Sequence, residues 1–327
     1  MKQYKLLSLL VVISLLIAAC GGAPAAAPAA EAPAAEAPAA EAPAAEAAPA
    51  DADAKEAPMW AAKVAAGELA PLEERMPKDP FVVGPGVLLA ETSLADWTPG
   101  QYKDGSVLRT AHSVADWAPD VFVMLNEPAL SAPDLGVQNI RGNVLKDFEV
   151  AEDNKVFTFH MREGLKWSDG EPVTTKDVAF TWNDIYGNDK LTPGGLKQRF
   201  RVGNDPKGEP GVLEIIDDYN FKISFPSSYG GFLRNLVIEG WNGYTELINP
   251  AHVLEKWHIN YATLDDMKAE LEKNNLKDEW WTLFGQKWCQ NWDVTRERCI
   301  GYPTVNPWIL QPSDSPSTCL LYTSRCV

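Results

Sequence analysis

The chain has 327 residues, 46% of them hydrophobic, and a formal net charge of -16. That length can bury a sizeable core and allows two domains of ordinary size. So acidic a surface repels phosphate backbones and anionic headgroups, which argues against nucleic acid and against electrostatic docking on a membrane.

In chain order, the first element is a leader. Lys2 and Lys5 form a positive start, Leu6 to Ile17 is apolar apart from Ser8 and Ser14, and Ile17-Ala18-Ala19-Cys20 follows. That order reads as an export signal over residues 1–19. The apolar stretch is shorter than the roughly 20 residues a spanning helix needs. Ile17 to Cys20 also resembles a bacterial lipobox, in which the cysteine thiol is acylated and the chain is cut before it. The other reading is an ordinary cleaved leader with a chance cysteine. Acylation of Cys20 would place the protein on the outer face of the cytoplasmic membrane, in the cell envelope or periplasm. Residues 20–58 then repeat a Glu-Ala-Pro-Ala-Ala rhythm through Glu31, Glu36, Glu41 and Glu46. Frequent proline removes amide donors and favours extended backbone, so this tract is a disordered tether without a core.

Composition becomes globular from Met59. Residues 59–84 suit a short helix of unassigned role. Val107 to Ala111 suits a strand, and Asp116 to Asp120 is a turn-prone break. Lys155 to Met161 alternates, with Phe157, Phe159 and Met161 on one face, as a half-buried strand does. Ser168-Asp169-Gly170 is a tight turn in which Gly170 can take a positive φ. After Pro172, Thr174 can cap a helix and Asp177 sits in its positive first turn. Val178, Trp182 and Ile185 recur at helical spacing as a core stripe. Val212 to Ile216 and Phe221 to Phe225 flank a hairpin connection, Asp217 to Asn220. Pro250 opens a helix through Trp257, and Leu264, Met267 and Leu271 mark another. Strands and helices mix irregularly, which predicts an α+β fold.

These residues carry a family resemblance. The run Phe157 to Val178, centred on Trp167-Ser168-Asp169-Gly170-Glu171-Pro172-Val173-Thr174, resembles the family 5 extracellular solute-binding proteins. These are the peptide and nickel binding components of ABC importers. Asn249-Pro250-Ala251-His252-Val253-Leu254 is similar to a proline-started helix of many members, and the likeness runs in order from about residue 105 to 310. It implies a two-lobe architecture of the type II periplasmic-binding-protein kind, with solute enclosed between the lobes. Residues 85–310 would form the N-terminal part of the solute-binding domain. Within it, about 112–211 would be an insertion subdomain, and 85–111 with 212–310 the first lobe. The second lobe is expected after residue 310, where the tail 311–327 carries no family pattern, so a chain cut short at its C-terminus is expected.

The resemblance implies a monomer with no cofactor. Its partners would be a peptide or other small solute, the transmembrane subunits of an ABC permease, and the membrane through the lipid anchor. An exposed strand edge can hold many peptides through their main chain. By this likeness the cleft wall is expected at His112, Ser113, Asp116 and Trp117, with Tyr186 a further ligand-binding candidate by position. Trp280, Trp281, Trp288 and Trp292 could stack on sugars, which keeps an oligosaccharide ligand open, or could simply pack a core.

A surface-anchored hydrolase is the reading from a different class. The sequence has no Gly-x-Ser-x-Gly, His-Glu-x-x-His or phosphate-loop pattern, and Asp217 with Asp218 reads as a turn. No catalytic residues are assigned. His252 and His258 are six apart and point to different helix faces, so no metal site is predicted. Cys289 and Cys299 can pair in an oxidising compartment if their Cα atoms come within about 7 Å, or can stay as two reduced core thiols.

Overall fold

A computed structural model describes residues 58–81, 126–132, 139–238, 243–293, 296–306, 308–311 and 320–323. Two short helices open it, α1 (Pro58–Ala65) and α2 (Leu72–Arg75). The segment after α2 docks on the body. Lys78 pairs with Glu163, Lys146 lies 2.9 Å from Asp79, and Arg162 donates to the Asp79 carbonyl.

Strands β1 (Leu130–Ser131) and β2 (Arg141–Gly142) pair with each other. The main sheet is built from β3 (Leu145–Ala151), β4 (Val156–Met161), β5 (Val212–Asp217) and β6 (Asn220–Ser224), in the order β3-β4-β6-β5. All pairings are antiparallel. The alternation expected for β4 is realised, since Phe157, Phe159 and Met161 are buried while Val156, Thr158 and His160 are half-buried. Opposite them Phe221 and Ile223 of β6 point to the same side, in register with Phe159 and Phe157. The two central strands thus supply the apolar face, and the outer strands β3 and β5 are largely exposed.

Strands from both sides of residue 211 share this sheet. The expected division into 112–211 and 212–310 therefore cuts through continuous hydrogen bonding, because β5 and β6 close against β4. The hairpin connection is also tighter than the four residues expected, with Asp217 and Asn220 themselves paired.

Helix α3 (Thr175–Ala179) starts at the predicted cap. The Thr174 side chain and Asp177 form a capping box. The coil then widens into a π-helix over Phe180–Tyr186. Thr181 Oγ1 donates to the Asp177 carbonyl at 2.7 Å, so a side chain enters the main-chain ladder where the coil widens. The predicted stripe of Val178, Trp182 and Ile185 is buried. Helix α4 (Phe232–Ile238) lays Phe232 on the sheet, with its ring 4.9 Å from both Phe157 and Phe225.

Pro250 precedes α5 (Ala251–Leu254), which tightens to a 3-10 turn through Trp257. Helices α6 (Leu264–Lys273) and α7 (Trp280–Lys287) follow, α6 behind a second capping box from Thr263 and Asp266. Met267 and Leu271 of α6 are buried as its spacing predicts. A hairpin of β7 (Trp308–Gln311) and β8 (Leu320–Thr323) ends the described chain, so part of the tail that lacked a family pattern is paired strand.

Candidate functional site

The two sequence blocks that carry the resemblance meet in space at Asp177. One carboxylate oxygen accepts from the Thr174 N–H at 3.0 Å and from Trp167 Nε1–H at 3.2 Å. The other accepts from the Ala251 N–H at 3.0 Å, at the start of α5. Around this carboxylate His252 Nε2 lies 2.8 Å from Asp169 Oδ2, and Lys176 lies 2.8 Å from Glu255. Burial pushes the Asp177 carboxyl above its ordinary range, and the converging donors oppose that rise. Asp177 thus clamps the tight-turn loop, the start of α3 and the start of α5 into one bracket. Its residues act mainly on one another.

Beside the bracket runs a belt of buried amides and hydroxyls. Asn143 Nδ2 donates to Glu127 Oε2 at 2.7 Å, and the Tyr244 N–H donates to the Glu127 carbonyl at 2.8 Å. Asn291 Nδ2 donates to Asn126 Oδ1, and Asn306 Nδ2 donates to Asn291 Oδ1 at 2.9 Å. Burial raises the Glu127 carboxyl against the lowering pull of Asn143, and raises the Tyr244 phenol to about 12. Gly243 permits this crowding. Its φ is +53, and a Cβ there would lie 2.5 Å from Asn291 Nδ2 and from the Glu127 carbonyl oxygen.

His112, Ser113, Asp116, Trp117 and Cys20 lie outside the described residues, as does the Gly240 to Asn242 part of the chain. Tyr186 is placed, and it corrects the expectation. It is 1% exposed, it packs 5.8 Å from Phe200, and its hydroxyl donates to the Glu246 carbonyl at 2.7 Å. It presents no surface to a solute in this structure. Cys289 and Cys299 form a disulfide with Cα atoms 5.9 Å apart.

Two of the four clustered tryptophans are bonded into the body. Trp280 is buried with its ring 4.9 Å from His258, and Trp288 Nε1–H donates to Asn249 Oδ1 at 2.9 Å. Lys190 lies over the Trp281 ring at 4.6 Å and Arg296 over the Trp292 ring at 5.3 Å, so one face of each ring holds a cation. Asp217 accepts from the Tyr219 N–H at 2.9 Å and from Asn220 Nδ2, as a turn former does. Those bonds hold its carboxyl below the ordinary range.

An open cleft of about 530 Å³ lies between the docked segment and the outer sheet face, lined by Asp79, Lys146, Glu149, His160, Glu163 and Tyr219 among others. Two of its acids face lysines, Asp79 against Lys146 and Glu163 against Lys78, and Glu149 lies 4.0 Å from the His160 ring. Among the described residues no three His, Cys, Asp or Glu side chains are grouped to hold a metal ion, and no helix is long and apolar enough to cross a membrane. The reach of Asp177 into a second block was missed from sequence. Its only signal was that both blocks belong to one resemblance, since the contact joins residues far apart in the chain.

Comparison with known proteins bears on the same residues. Residues 139–282 match the family model for bacterial extracellular solute-binding proteins, family 5 middle. The periplasmic alpha-galactoside-binding protein of Rhizobium meliloti is 27% identical over 225 residues, covering 63% of this chain and 30% of that protein. The periplasmic oligopeptide-binding protein OppA of Salmonella typhimurium is 30% identical over 134 residues, covering 33% of this chain and 24% of that protein. Among solved structures, an oligopeptide-binding protein OppA superposes with a TM-score of 0.62 at 27% identity, over 82% of this chain and 37% of that one. The periplasmic binding protein MelB of Agrobacterium fabrum, solved with stachyose, superposes with a TM-score of 0.55 at 21% identity over the same shares, a likeness of fold. This chain thus spans 30% or less of the length of these two curated relatives. The chain shares the periplasmic-binding-protein fold, and its segment 139–282, which runs through the Asp177 bracket, is similar to the middle part of the family 5 bacterial extracellular solute-binding proteins.

Proposed function

We propose that this protein captures a solute outside the cytoplasm and delivers it to the transmembrane permease of an ABC importer, with peptides as the first solute class. It holds its solute between two lobes and releases it unaltered. The export signal and Cys20 would tether it by lipid to the outer face of the cytoplasmic membrane, and residues 20–58 would let the body move out from there. One observation carries the reading. The family match over 139–282 contains the bracket and the sheet, and 82% of this chain superposes on an oligopeptide-binding protein at a TM-score of 0.62. Peptide main chain offers the same N–H and C=O spacing whatever its side chains, which suits a carrier of many sequences.

An oligosaccharide is the second reading, supported by the alpha-galactoside-binding relative that covers 63% of this chain. Heat denaturation with a panel of short peptides and alpha-galactosides tests both. A solute at a hundredfold excess over its Kd stabilises the binder by about 2.7 kcal/mol. A shift with peptides alone supports the first reading, and a shift with galactosides alone transfers the proposal to sugars. Recovery of a chemically changed solute would end the carrier reading.

A further inference from the structure

Thr304 to Asn306 are bonded to three separate parts of the body. The Ser168 N–H donates to the Thr304 carbonyl at 2.9 Å, and the Thr304 N–H donates back to Ser168 Oγ at 3.1 Å. The Val305 N–H donates to the Tyr244 phenol oxygen at 3.3 Å. That oxygen also lies 2.8 Å from Thr304 Oγ1, which accepts from the Asn306 N–H at 3.0 Å. Asn306 Nδ2 then reaches Asn291 Oδ1 at 2.9 Å. Thr304, Asn306, Asn291 and Tyr244 are each at most 5% exposed. Two residues beyond Asn306 the chain enters β7.

An apolar contact could bury this segment equally well, yet it would leave the segment free to slide and rotate. Hydrogen bonds are directional, and a buried network with its members paired fixes one arrangement. Every main-chain N–H from Thr304 to Asn306 is spent on a side-chain oxygen rather than on a neighbouring strand. The backbone is therefore held by Ser168 and Tyr244 at Thr304 and Val305, while the Asn306 N–H closes onto the Thr304 hydroxyl and the Asn306 side chain reaches Asn291.

We propose that Ser168, Tyr244 and Asn291 are positioning residues, a three-point clasp on Thr304 to Asn306 that sets the direction in which the chain runs into β7. The clasp gives the Trp167 to Gly170 loop a task that its sequence did not disclose. The loop is held from behind by Asp177 and grips the outgoing segment in front. The consequence for function rests on the solute-capture reading, in which the clasp sets how the cleft walls meet.

Amide hydrogen exchange on the purified chain tests the clasp and needs no solute, so it can fail while the solute-capture reading stands. Thr304→Val keeps the shape and removes the hydroxyl, Thr304→Ser restores it, and Tyr244→Phe removes only the phenol oxygen. Met267→Ala, deep in α6, serves as a control of similar loss in thermal stability. The expected result is exchange of the β7 amides about tenfold faster in Thr304→Val and in Tyr244→Phe, near the parent rate in Thr304→Ser, and unchanged in β4 and β6. Should Thr304→Val fail to fold, Tyr244→Phe decides alone. Unchanged β7 exchange in the folded variants, or an equal acceleration in Met267→Ala, overturns the proposal.

Discussion

Three donors converge on the Asp177 carboxylate, and no other side chain offers that many acceptor sites in so small a volume. Asparagine keeps the shape but replaces one acceptor oxygen by an NH2 group, which would face N–H donors. Asp177→Asn is therefore expected to lower the unfolding free energy by about 1–3 kcal/mol, read from urea denaturation. His258 supplies the pH dependence. It is fully buried, with Nε2 3.1 Å from the Asp184 carbonyl and Nδ1 3.2 Å from the Asn260 N–H. Both nitrogens are satisfied only by the neutral ring with its proton on Nε2, because a proton on Nδ1 would confront the Asn260 N–H. Burial lowers its pKa, against the raising pull of Asp184. The unfolded chain therefore takes up this proton first, once pH falls below about 6.5. The contribution is fully present above that value and is lost as pH falls toward the folded pKa, with a slope of at most about 1.4 kcal/mol per pH unit. Urea unfolding at pH 7.0 and 5.5 should show this loss, and His258→Gln should be less stable at pH 7.0 with a smaller loss between the two.

At the scale of elements, β4 and α3 were legible because their signals are local. Alternation places Phe157, Phe159 and Met161 on one face, and a capping pair marks the start of α3. The widened coil after Ala179 was not legible, since it follows from a threonine bonding to a main-chain carbonyl. Burial of β5 was not legible either. Its run is apolar, yet Val212 is 63% and Ile216 52% exposed, because pairing order leaves this strand at the sheet edge. Core weight falls instead on Phe232, whose ring meets Phe157, Phe159, Phe200, Phe225 and Tyr229 at 4.9–6.3 Å. Phe232→Ala should cost about 3–5 kcal/mol, because rings held from several sides cannot collapse into the space it vacates. Chemical denaturation followed by far-UV circular dichroism measures the loss. Val212→Ala, on the exposed edge, should stay within about 0.5 kcal/mol of the parent.

Over the whole molecule, sequence conveyed the family resemblance and the mixture of helix and strand, while the pairing of β5 and β6 with β4 in one sheet across residue 211 was not foreseen. A boundary drawn by analogy cannot see that β5 and β6 return across a long connection to β4, and a position after a helix cannot tell a cleft wall from a core. Tyr186 went inward because Phe200 and Glu246, distant in sequence, close around it. The disulfide belongs to this scale too. Its loop holds Asn291 of the buried belt, and Asp293, 6% exposed as a side chain, lies 2.9 Å from Arg296 and 3.0 Å from Arg298. Arg298 also donates to the Trp288 carbonyl at 3.0 Å. The folded loop is thus held twice, by the covalent link and by these bonds, so removing the link should leave its native shape in place. What the link changes is the unfolded chain, in which the separation of 10 residues between the cysteines stays closed. Loop-closure entropy for that length corresponds to about 3 kcal/mol. Replacing Cys289 and Cys299 together by alanine should lower the unfolding free energy by about that amount in urea, with the native circular dichroism spectrum unchanged. A double variant that loses native structure before urea is added would mean that the Asp293 ion pairs cannot hold the loop alone.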